Sequence, residues 1–160
     1  MVSVSVLLLG MSLYSRLKMR KAFLAEILLF LSNVKIEIEY INLPVYQMLN
    51  KIHSSGICKN LSFISSCIKK IDQGEDFSTA WYESVSNSFL PMKKEEREKL
   101  SGLGNFLGAS DLQGQISLLS LFYENFSAYY KKADEDFEKY GKMCVTVSCI
   151  LAVGIFIFIM

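Results

Sequence analysis

A chain of 160 residues has room for one domain of ordinary size. Its 17 basic and 16 acidic residues leave a formal charge of +1, which argues against a nucleic-acid binder, because phosphate-backbone affinity needs a clustered basic excess. Hydrophobic residues make up 51% and the mean hydropathy is +0.29, high for a soluble domain, yet every charged residue lies between Arg16 and Lys142. The apolar excess therefore sits at two uncharged ends flanking an ordinary polar middle.

The first segment, 1–15, carries no charge. As a helix it would measure about 22 Å, a few residues short of a bilayer crossing, and the stems of Arg16 and Lys18 would extend it by snorkelling. It lacks the basic n-region and the A-x-A-like site of a cleaved signal peptide, so the expectation is a short membrane segment.

From Leu24 the apolar positions Leu24, Ile27, Leu28, Leu31, Val34, Ile38 and Ile41 recur at steps of three and four, one face of a long helix ending near Pro44. The stretch Val34–Glu39 also alternates, so a short strand is the competing reading. No second strand is evident to pair with it, and helix is preferred. Three shorter helices are predicted over Val45–His53, Lys59–Ile71 and Asp76–Phe89, separated at Ser54-Ser55-Gly56 and Asp72-Gln73-Gly74. In the third, Phe77, Ala80, Trp81, Val85 and Phe89 keep helical spacing, and Trp81 with Tyr82 reads as core rather than as a ligand site. After Pro91 a helix over Lys93–Phe106 is expected to pair Glu95 with Lys99 on a wet face.

Ser110-Asp-Leu-Gln113 has the pattern of a capping box opening the last helix. Leu112, Ile116, Leu119, Phe122, Phe126, Tyr129, Ala133, Phe137 and Tyr140 then follow a heptad spacing, with no break before the uncharged run Met143–Met160. That run would span roughly 27 Å, the thickness of a hydrocarbon core, within one helix of about fifty residues. Arg16, Lys18, Arg20 and Lys21 follow the first apolar segment, and Lys131, Lys132, Lys139 and Lys142 precede the second. Basic flanks stay on the cytoplasmic side, so both clusters place the middle region there. The expectation is an all-α protein: an antiparallel bundle of about six helices over 16–142, a transmembrane helix over 143–160, and an N-terminal anchor over 1–15.

Catalytic chemistry finds little to work with. The one histidine, His53, falls at a helix end, and pairing it with Cys58 leaves no third, orienting group. Cys58, Cys67, Cys144 and Cys149 contain no C-x-x-C pair and read as reduced thiols, so no metal or cofactor is expected. Gly102-Leu-Gly104-Asn-Phe-Leu-Gly108 is neither a dinucleotide fingerprint nor a phosphate loop. It reads as close helix packing with a helix cap at Gly108. Neither an enzyme nor a small-molecule binder is indicated.

Four short motifs, in register, resemble one family. Glu37-Ile-Glu-Tyr40 followed by Pro44, the pair Ala80-Trp81, Leu103-Gly-Asn-Phe-Leu-Gly108 with Asp111 and Gln115 after it, and Glu138-Lys-Tyr-Gly-Lys-Met143 are similar to the conserved elements of the stage III sporulation protein AB family. The resemblance covers about Arg20 to Met160; members of that family usually carry a longer N-terminal hydrophobic anchor. It implies a soluble region like the cytoplasmic domains of type II secretion inner-membrane platform proteins. It also implies a place in the mother-cell membrane facing the forespore. The implied partners are a secretion-type ATPase like stage III sporulation protein AA and neighbouring channel subunits, and the implied role is that of a platform without catalysis. Glu37, Glu39, Asp111 and Gln115, polar and motif-bearing near helix ends, are the candidate partner-binding residues, with helix capping as the competing role for the last two. The alternative is a membrane-tethered coiled-coil spacer or sensor that dimerises through the heptads.

Overall fold

In the computed structural model the description covers residues 2–41, 43–107 and 112–159. Side chains are not described at 2–7, 41, 142, 145, 152, 153 and 155–159. Every regular element among the described residues is helical, and none is a strand. The order is α1 (Val2–Ile36), a π-helical turn (Glu37–Ile41), α2 (Val45–Ser55), α3 (Ser62–Asp72), α4 (Phe77–Asn87) and α5 (Lys94–Gly102). A 3-10 turn (Leu103–Asn105), α6 (Leu112–Asp136), a second π turn (Phe137–Gly141) and α7 (Lys142–Ile159) complete it. The chain divides into two compact units, 23–129 and 1–22 with 130–160.

The larger unit is organised around Trp81. Its ring is fully buried, stacked on Phe30 at 5.8 Å, met edge-on by Phe63 at 5.3 Å and touched by Phe77 at 5.9 Å. Such pairs add to the area buried because ring edges and faces carry opposite partial charge. Of the predicted apolar stripe, Leu24, Ile27, Leu31, Val34 and, from the π turn, Ile38 are buried, Leu28 is half-buried, and the side chain of Ile41 lies outside the description. Phe23 and Phe30, at the edge of the predicted stripe beside Ile27 and Val34, are buried as well, which widens the same face. Leu119, Phe122 and Phe126 of α6 are buried in the same unit, whereas Leu112 at its start is exposed.

Local chemistry sets the helix ends. Gly56 closes α2 at φ 69°, a left-handed conformation costing glycine least, and its N–H donates to the His53 carbonyl at 3.3 Å. Asp76 caps α4 by accepting from the Ser78 N–H at 3.1 Å. At the other end of α4, Arg97 donates through Nη1 to the carbonyls of Val85, Ser86 and Ser88 at 3.1, 3.2 and 2.6 Å. One guanidinium thus serves carbonyls that a helix C-terminus leaves unpaired.

Several expectations change. The alternation over Val34–Glu39 is helical, passing into a π turn, and not a strand. The third predicted helix loses Phe89, which lies beyond the extended Ser88 and is exposed, and Tyr82, read as core, is 57% exposed. The helix expected from Lys59 begins at Ser62, because turns occupy the residues before it. Within α5 the i,i+4 pair is Lys94 with Glu98 at 3.7 Å, while Glu95 accepts from the Tyr129 hydroxyl at 3.0 Å. The proposed capping box at Ser110 and the cap at Gly108 lie outside the described residues.

In the smaller unit, chain start and chain end run antiparallel. Tyr14 meets Phe137 at 5.4 Å, Arg20 pairs with Asp136 at 3.2 Å, and Lys21 pairs with Asp134. The Lys21 ammonium also sits over the Phe137 ring at 5.2 Å. The Asp134 partnership raises the Lys21 pKa above its ordinary value, against a smaller opposing effect of burial. Helix continues from α6 through the second π turn into α7, as the absence of any breaker predicts. Among the described residues, no helix is long and apolar enough to cross a membrane. The anchors expected at 1–15 and 143–160 are described only in part, since side chains at 2–7 and 155–159 fall outside the description.

Candidate partner-docking surface

The end of α1 offers the larger unit's most distinctive surface. In the π turn Glu37–Ile41, Ile38 points into the core at 5% exposure, while Glu39 and Tyr40 face solvent. A π turn interrupts the regular helical face and is frequent at functional positions. Tyr40 is 77% exposed, and Ile36 one turn before it is also exposed. A tyrosine standing free in water covers no core, but offers a rigid, amphipathic contact to a partner.

A groove of about 400 Å³ lies on the same unit. Leu31, Ser32 and Lys35 of α1 form one wall; Leu119, Ser120, Tyr123 and Glu124 of α6 form the other. Lys35 bridges the walls by donating from Nζ to Ser120 Oγ at 3.0 Å. Ser32, at the groove, is exposed, as are Ile36 and Tyr40 further along the chain. Of its lining, Tyr123 and Glu124 are exposed, and Leu31 and Leu119 are buried.

The four sequence candidates part company here. Glu37 is largely buried and ion-paired with Lys51 at 2.7 Å, tying the π turn to α2. Glu39 is exposed. Gln115 is half-buried in the first turn of α6, and Asp111 lies outside the described residues. Of the four, Glu39 has the free geometry of a contact residue and Glu37 has that of a structural tie. Sequence reasoning missed Ile36, Tyr40 and the groove. Tyr40 stood in a quoted motif, but a helical pattern assigns aromatic residues to cores and gives no sign of a π turn.

The cysteines and the histidine do not assemble into a catalytic pair. His53 is exposed in the last turn of α2, whereas Cys58 is buried, with its thiol 3.9 Å from the Glu26 carbonyl oxygen. Burial, and then the charge of Glu26, pushes the Cys58 thiol up to about 11. Burial, with Glu75 adding, pushes Cys67 up to about 12. A thiol held protonated at neutral pH is a poor nucleophile. Among the described residues no group of three or more His, Cys, Asp or Glu side chains is placed to hold a metal ion.

Comparison with known proteins returns one family. No curated protein and no solved structure matches the chain. The family model described as stage III sporulation protein AB matches residues 1–160, the whole sequence, including all four motifs and both apolar ends. The chain belongs to the stage III sporulation protein AB family.

Proposed function

We propose that this sporulation protein is a non-catalytic membrane platform that presents its helical unit 23–129 to a secretion-type ATPase. The observation that carries the reading is the exposed pair Glu39–Tyr40, standing in the π turn that follows α1. An aromatic anchor beside a carboxylate suits a partner that presents a pocket edged with lysine or arginine. The resemblance to secretion platform proteins supplies the class of that partner, an ATPase like stage III sporulation protein AA, with neighbouring channel subunits beside it; fold-level analogy alone would not decide it.

The membrane part of the reading rests on the uncharged runs 1–15 and 143–160 and on their basic flanks. It is further supported by the apolar side chains that α1 and α7 leave exposed, among them Leu8, Leu9, Val147, Ile150 and Leu151. The location that follows is the mother-cell membrane facing the forespore, with the larger unit in the cytoplasm.

The coiled-coil spacer is the weaker reading. Leu119, Phe122 and Phe126, the centre of its heptad seam, are buried within the chain's own larger unit. A seam already filled is not free to pair with a second copy.

Flotation tests the reading. Full-length protein is reconstituted into vesicles and incubated with a secretion-type ATPase like stage III sporulation protein AA. Co-flotation of the ATPase with protein-bearing vesicles, and not with empty ones, is expected. An ATPase that stays at the bottom of the gradient in both cases contradicts the platform role.

A further inference from the structure

We propose that the two terminal segments enter the bilayer as one antiparallel helix pair, locked at Gly10 against Ser148, with lipid acyl chains on the pair's outer faces. This rests on the membrane reading above and adds to it the architecture of the anchor.

The helices approach closely at this point. Gly10 is buried, and a Cβ there would lie 2.0 Å from Ser148 Oγ, 2.6 Å from Ser148 Cβ and 2.9 Å from the Cys144 carbonyl oxygen. No larger residue fits without parting the helices. In lipid, apolar side chains gain nothing by leaving one hydrocarbon environment for another, so helix pairs form where small residues let backbones touch. The Ser148 hydroxyl donates to the Cys144 carbonyl at 2.6 Å, so its polarity is satisfied within α7 and does not burden a lipid-facing site.

Independent contacts at the polar end set the same pairing. Lys21 with Asp134, Arg20 with Asp136 at 3.2 Å, and Tyr14 with Phe137 at 5.4 Å all join the same two stretches of chain, antiparallel. Outside the contact, Leu9, Met11, Val147 and Ile150 stand exposed, and charge is absent from both helices beyond Arg16 and Met143. A surface that is apolar here and fringed with lysine and arginine below matches acyl chains beneath a phosphate layer. The pairing also accounts for a first segment of about 22 Å, which is marginal as a lone span but is held in place by a partner helix.

Disulfide trapping in membranes tests the pair. In full-length protein with Cys144 and Cys149 changed to Ala, Gly10→Cys with Ser148→Cys brings two Cβ atoms nearer than the separation of about 3.8 Å that a disulfide needs, so a slight parting suffices. Mild oxidation is expected to give a faster-migrating monomer that reverts on reduction. The outward-facing Met11→Cys with Ser148→Cys is expected to give none. Because a Cβ at position 10 could disturb insertion, a second pair, Leu13→Cys with the native Cys144, leaves the glycine in place; both residues line one shallow groove. Failure of both pairs to cross-link in protein that resists alkaline extraction overturns the helix pair while leaving the membrane reading intact. Cross-links between chains rather than within them also overturn it. Wild-type protein released by alkaline extraction contradicts the membrane reading itself.

Discussion

The indole N–H of Trp81 donates to the carbonyl oxygen of Leu100 at 2.8 Å, joining the centre of α4 to the last turn of α5. The acceptor lies at a helix end, where it also accepts the Leu103 backbone N–H. Removing the indole donor takes away one of that carbonyl's two partners, and removing the ring also opens a cavity. Trp81→Phe is expected to cost about 0.5–1.5 kcal/mol, from the lost hydrogen bond. Trp81→Ala is expected to cost about 3–5 kcal/mol. Urea unfolding of full-length protein in mild detergent, followed by circular dichroism, measures both.

Gly104 lies against the same ring. A Cβ there would meet Trp81 Cδ1, Cγ and Cβ at 2.6, 2.8 and 2.9 Å, with the ring locked among three other aromatic residues. Gly104→Ala is expected to destabilise by about 1–3 kcal/mol through overpacking. Gly102, two residues earlier, has nothing within 4 Å of its would-be Cβ and closes α5, so Gly102→Ala is expected to be neutral or to stabilise by up to about 1 kcal/mol. Equal effects at the two glycines would contradict the packing account.

Helical periodicity made most of the fold legible. The stripe of α1, the turn glycines Gly56 and Gly74, the buried Ala80-Trp81 pair and the unbroken run into α7 follow from spacing and turn chemistry alone. Phe89 was misplaced because it keeps the spacing of α4, yet the chain has already turned extended at Ser88, where Arg97 takes over the carbonyls. Arg97 is remote enough in sequence that no local pattern announces the contact. The docking surface was half legible. Glu37 and Glu39 sit two residues apart in one motif, and only the lysine offered by α2 decides which is tied down.

Cys58 and Cys67 carry thiols raised by burial to about 11 and about 12. Each is expected to resist alkylation at pH 7.5 in native protein and to react on addition of denaturant, read by mass spectrometry. The sign of the pH dependence follows. An unfolded thiol ionises near pH 8.5–9, below the folded values, so the unfolded chain releases protons first. Their contribution to stability is complete below about pH 8.5 and is lost as pH rises toward 11. Cys67→Ala should flatten this alkaline decline; an unchanged decline would contradict the assignment.

Ser84 buries its hydroxyl oxygen with no hydrogen-bond partner among the described residues. An unpaired buried hydroxyl opposes folding, so Ser84→Ala is expected to leave stability unchanged or to raise it by up to about 1 kcal/mol. A loss of stability in the same urea titration would show that the hydroxyl has a partner.

The docking role of the π turn is tested most directly by titrating the secretion-type ATPase against full-length protein in lipid nanodiscs. Glu39→Lys reverses an exposed charge in the π turn and is expected to weaken binding about tenfold. Tyr40→Ala removes an exposed aromatic anchor and is expected to weaken it by about thirtyfold or more. Helix content should match the wild type in both variants, because neither side chain is buried. Wild-type affinity in both variants, with the ATPase bound, would contradict the claim that this surface is where the partner docks.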